Sequence, residues 1–174
     1  MPEKIVVLES ELAAAACSIG MSTLSYAKSK LYAQIESSGG KLIIKNKAGE
    51  EGYINKDSVN KMLSSSADSV KNGFNESQHF SAVADIVNLY ENSVKVLTHP
   101  DRKGSHNVKN IDRFVALLYD DKFAFITGKE IIENGRKIYN LELMKLGRLE
   151  GKLVEEESKN STATQQLTIP ANNI

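Results

Sequence analysis

Apolar residues crowd into three runs near the end of the chain, RFVALLY (113–119), KFAFITGKEII (122–132) and RKIYNLELM (136–144). They are rich in β-branched and aromatic residues and bounded by turn formers, the signature of strands. Asn134-Gly135 between the last two is a strong local hairpin signal, and Asp120-Asp121 separates the first two. The pattern predicts an antiparallel meander. Earlier in the chain the period is helical. Leu24, Ala27, Leu31 and Ile35 recur at helical spacing, and Phe80, Val83, Ile86, Val87 and Tyr90 form one stripe of a helix over 78–93. That stripe is expected to pack on Ile126, Leu141 and Leu143.

Between these blocks, KLIIK (41–45) and EGYIN (51–55) predict a small hairpin turning at Gly49. Asp57 or Ser58 caps a short helix reaching Leu63. The Ser-, Asn- and Gly-rich stretch 64–77 predicts a mobile connection, 94–97 a short strand, and 98–110 a loop. Helices followed by strands give an α+β class, with N-terminal helices on a small antiparallel meander. The expected divisions are a helical segment over 1–38, an α+β domain over 39–150, and a disordered polar tail over 156–174.

Strand register turns this pattern into a candidate site. With Asn134-Gly135 as a two-residue turn, Glu133 opposes Arg136, Lys129 opposes Asn140, and Thr127 opposes Glu142. Opposed residues share a face, so these four inner polar residues gather on one side. Ile126, Gly128, Tyr139, Leu141 and Leu143 go to the other, as core. With Asp120-Asp121 as a second two-residue turn, Thr127 faces Phe114 and Phe125 faces Ala116. The polar cluster is then framed by Phe114, Phe123, Phe125 and Met144. A slip of one residue at either turn would reverse the assignment. The plain alternative is a wet sheet face carrying an ordinary surface ion pair.

Composition narrows the chemistry. The 174 residues are 41% hydrophobic and 25% charged, with formal net charge zero and a sequence pI near 6.8. A broadly basic nucleic-acid binder is thereby excluded, and a polyanion would have to be met by a local patch. Such a patch lies around His99, Arg102, Lys103, His106, Lys109 and Arg113. The single cysteine, Cys17, follows four alanines and reads as a small buried residue of a reducing compartment. There is no Walker loop, no G-x-S-x-G elbow and no close pair of zinc ligands, so neither a metal nor a cofactor is expected. No apolar run is long enough to span a membrane, and Glu9 and Glu11 interrupt the apolar start. A cytoplasmic location in a host cell is expected.

The segments GYINKDSVNKMLSSSADS, HFSAVADIVNLYENS and RFVALLYDDKFAFITGKE…GRKIYNLE resemble the large polyvalent protein-associated domains of phages and mobile elements. Those are grouped with the barnase, EndoU, colicin and RelE class of metal-independent nucleases. The resemblance covers roughly residues 40–145. It implies helices packed on an antiparallel sheet, an RNA-cleaving site on the open sheet face, delivery to a host cell, and matching positions at His79, Thr127, Lys129, Tyr139 and Glu142. The chemistry so implied is acid–base cleavage of RNA. Glu142 acts as base, His79 or His99 as acid, and Lys129 with Arg102 or Arg113 on the phosphate. Thr127 orients Glu142, and Phe125 stacks a base. The competing class is a non-catalytic interaction module or an anti-defence inhibitor, whose partner would be a host protein. A nuclease toxin would bring a cognate inhibitor.

Overall fold

The structure, a computed structural model, describes residues 14–15, 18–101 and 108–148. Arg102, Cys17 and the tail over 156–174 lie outside them. The described chain is α+β. Helix α1 (Thr23–Ser37) precedes a hairpin of β1 (Leu42–Lys45) and β2 (Glu51–Ile54). Helices α2 (Lys56–Leu63), α3 (Ala67–Lys71), α4 (Glu76–Ala84) and α5 (Ile86–Glu91) follow. The chain then runs through β3 (Val94–Pro100), β4 (Val108–Tyr119), β5 (Lys122–Glu133) and β6 (Arg136–Arg148).

The strands make one sheet in the order β1-β2-β6-β5-β4-β3. All neighbours are antiparallel except β2 and β6, which run parallel with Gly52 beside Tyr139 and Tyr53 beside Asn140. The β1–β2 hairpin therefore extends the meander into a six-stranded sheet. The helices lie on one face of it. Ala27, Leu31 and Ile35 of α1, Met62 of α2, Val83 and Ile86 join Ile126, Leu141 and Leu143 in one buried cluster. The stripe expected to meet Ile126 and Leu141 does so, and α1 shares that core.

Local chemistry explains the helix starts. The Asn55 side chain accepts from the Ser58 amide, and the Ser58 hydroxyl accepts from the Asn55 amide, a reciprocal cap that starts α2. Ser58 thus sits inside the first turn, and Asn55, not Asp57 or Ser58, is the cap. Asn75 and Gln78 repeat the device at α4. Three expectations need correction. The Ser-rich connection holds α3, anchored by buried Ser69. The helix over 78–93 is two helices meeting at Asp85, whose backbone departs from helical geometry (φ −104°, ψ 19°). The loop over 98–110 is shorter, because β3 continues to Pro100 and β4 begins at Val108.

Candidate functional site: the open face of the sheet

The Asn134-Gly135 turn has both residues at positive φ (53° and 74°), the primed geometry that suits the twist of a hairpin. It sets the expected register: Glu133 opposite Arg136, Lys129 opposite Asn140, Thr127 opposite Glu142. The Asp120-Asp121 turn also pairs Tyr119 with Lys122 as expected. A bulge at Leu118 then shifts β4 by one residue. Arg113, not Phe114, faces Thr127, and Val115, not Ala116, faces Phe125. Phe114 is buried on the helix side, edge-on to Tyr90 and Tyr139 with ring centroids 5.3 and 5.4 Å away. The slip replaces Phe114 of the expected frame with a guanidinium, while Phe123, Phe125 and Met144 stay on this face.

Two adjacent cross-strand rows result on the face opposite the helices. One holds Leu97, Arg113, Thr127 and Glu142; the other holds His99, Ile111, Lys129 and Asn140. A guanidinium nitrogen of Arg113 donates to Thr127 Oγ1 at 2.5 Å and lies 2.8 Å from Met144 Sδ. The Asn140 amide oxygen accepts from the Ser58 hydroxyl at 3.2 Å. Lys129 and Glu142, both half-buried, have no hydrogen bond or ion pair among the described residues. Val115, Phe123 and partly exposed Phe125 continue the face as an apolar strip, with Lys145 Nζ 5.6 Å from the Phe125 ring centre. His99 is buried; its Nδ1 donates to the Pro100 carbonyl at 3.0 Å.

His79 is on the other side. It is fully buried in α4, among groups that satisfy both ring nitrogens. A carbonyl only accepts, so Nε2–H donates to Met62 O at 2.7 Å and Nδ1 accepts from the Ser69 hydroxyl at 2.7 Å. Ser69 Oγ in turn accepts from the Leu146 amide at 2.9 Å. Burial holds the imidazole below its ordinary pKa, outweighing the Met62 bond that favours the charged form. His79 is a neutral staple joining α2, α3 and β6, with no approach to Glu142 or Lys129. The expectation that placed it beside them is corrected by the sheet lying between.

The same helix-side face carries a polar cluster that sequence reading missed. Lys95 Nζ lies 2.6 Å from Glu50 and 3.1 Å from Asp112. Thr98 donates to the other Asp112 oxygen at 2.6 Å, and the Tyr139 hydroxyl donates to Asp112 in a short bond. Burial opposes the Lys95 charge, but bonds to Glu50 and Asp112 outweigh it and raise its pKa. Burial, then the bond to Asp112, pushes the Tyr139 phenol well above its ordinary value, so it acts as a donor. Gly128 makes room for this ring: a Cβ there would lie 2.8 Å from Phe114 and 3.0 Å from Tyr139. An acidic residue at an inward strand position, Asp112, was the available signal. Its partner Lys95 was hidden because β3 carries a bulge at Val96.

The two clusters differ chemically. Lys95 is shared between the carboxylates of Glu50 and Asp112 on the helix side, whereas Lys129 and Glu142 on the open face have no ion pair among the described residues. Among the described residues no three His, Cys, Asp or Glu side chains come together as a metal site, and no helix is long and apolar enough to cross a membrane. The sequence matches the family model of large polyvalent protein-associated domain 3 over residues 23–139, more than half of the chain. No curated protein and no solved structure matches it.

Proposed function

The chain belongs to the family of large polyvalent protein-associated domain 3, and from that premise we propose that it is a phage or mobile-element endoribonuclease that cleaves RNA without a metal on the open face of its sheet. The observation that carries this reading is that Lys129 and Glu142 stand without partners beside the Arg113–Thr127 pair, while the charges of the helix-side cluster are paired. Glu142 takes the proton of a ribose 2′-hydroxyl. The 2′-oxygen attacks phosphorus, the bond from phosphorus to the 5′-oxygen breaks, and the Lys129 ammonium supplies the proton to the departing oxygen. Arg113 and Lys129 stabilise the charge that builds on the phosphate, commonly the larger contribution to rate. Thr127 is held by Arg113 and aims its oxygen into the same corner. Phe125 offers a ring to a flanking base once Lys145 swings to a phosphate.

The test is a mixed RNA pool incubated with purified protein and EDTA. The parent cleaves, and Glu142→Gln abolishes cleavage while its melting temperature holds. No cleavage by the parent overturns the reading. Cleavage that persists in Glu142→Gln overturns the assignment of the base. Phe125, partly exposed on this same face beside buried Val115 and Phe123, supports a second reading, a surface that docks a host protein or a cognate inhibitor. A parent that leaves RNA intact favours it.

A further inference from the structure

We propose that His99 selects ribose over deoxyribose in a nucleotide flanking the cleavage position, by accepting a hydrogen bond from its 2′-hydroxyl. The inference rests on the RNA reading of this face. The Pro100 carbonyl can only accept, so His99 Nδ1 carries a proton, and in the neutral ring Nε2 presents a lone pair. That Nε2 is buried and has no hydrogen-bond partner, in a residue only 6% exposed. A buried acceptor left unmatched is unusual in a folded protein and asks for a donor.

What donor fits follows from position. His99 opposes Ile111, which opposes Lys129, so the imidazole and the ammonium lie in one row two strands apart. With strands about 4.8 Å apart, their backbones are separated by about 10 Å, a gap that a lysine side chain spans in part. A hydroxyl donor close to a phosphate matches this pairing, and a ribonucleotide carries both. Glu142 is on β6, three strands from β3, about 14 Å away. The hydroxyl that His99 receives is therefore not the one that Glu142 deprotonates.

The experiment uses two oligonucleotides of one sequence, one all ribose, the other with a single ribose at the cleavage position and deoxyribose elsewhere. Both can be cleaved. The parent favours the all-ribose strand by roughly fivefold to tenfold in kcat/KM, as loss of one hydrogen bond predicts. His99→Phe abolishes that preference. His99→Gln, whose amide oxygen can accept near the Nε2 position, restores it, and thermal melting checks that both variants fold. Equal rates of the parent on the two strands, or a preference that survives in His99→Phe, overturn the proposal and leave the ribonuclease standing. Failure of the parent to cleave either strand overturns both.

Discussion

The two faces of the sheet hold similar side chains and treat them in opposite ways. On the helix side, His79 has both nitrogens bonded, and Asp112 receives Lys95, Thr98 and Tyr139. On the open side, Lys129 and Glu142 have no partner among the described residues, and His99 Nε2 has none either. Polar groups in an interior are costly unless matched, so a fold that needs them for stability matches them. Lys129 and Glu142, half-buried and unmatched, contribute little to stability and are available to a ligand, whereas the buried His99 Nε2 is a cost that a donor would relieve. The lesson is that a polar cluster is read by its partners before its composition.

The comparison breaks first at Asp112. Asp112→Ala removes an acceptor of Thr98, one of the two carboxylates that Tyr139 reaches, and half of the Lys95 pairing. It should cost about 3 kcal/mol in urea unfolding, tempered because Lys95 keeps Glu50. A variant as stable as the parent would make the helix-side cluster a site, not a clamp. Gly128→Ala pushes a methyl into Phe114 and Tyr139, and a loss of about 1–3 kcal/mol should appear in the same measurement.

Acid sharpens the contrast next. Burial depresses the His79 pKa below its ordinary value of 6.5, so the unfolded chain takes up a proton that the folded chain refuses. The stability due to neutral His79 is present above pH 6.5 and falls as pH drops below it. Melting temperatures at pH 7.5 and 5.5 should therefore separate more for the parent than for His79→Gln. Smallest of all should be the open-face changes: Lys129→Ala and Glu142→Gln should each shift stability by under about 0.5 kcal/mol. Lys129→Ala should nonetheless weaken RNA binding and reduce its salt dependence by about one charge, measured by titration at several salt concentrations.

The sequence carried the β5–β6 half of the site and lost the β4 half. Asn134-Gly135 dictates a turn geometry that few other pairs adopt, so Thr127 opposite Glu142 could be read directly. Nothing around Leu118 marks a bulge. Bulges answer to sheet twist and to packing beneath them, which no local pattern records. That one residue moved Phe114 inward and brought Arg113 out. The same cause hid Lys95 behind the bulge at Val96. The α+β class was legible because periodicity is local. The parallel pairing of β2 with β6 was not, because it joins residues 52 and 139 across most of the described chain.

That parallel ladder has a consequence for how the chain is born. β3 to β6 join neighbours in sequence, through short connections that form early. The β1–β2 hairpin is made well before β6, and its sheet partner Tyr139 emerges after nearly ninety further residues. Until then Gly52, shaped to lie under Leu141, has nothing above it. On the ribosome the hairpin must wait with the β6 side of β2 unpaired. Its docking onto β6 should be the last step of folding, and the step at which a chaperone matters most.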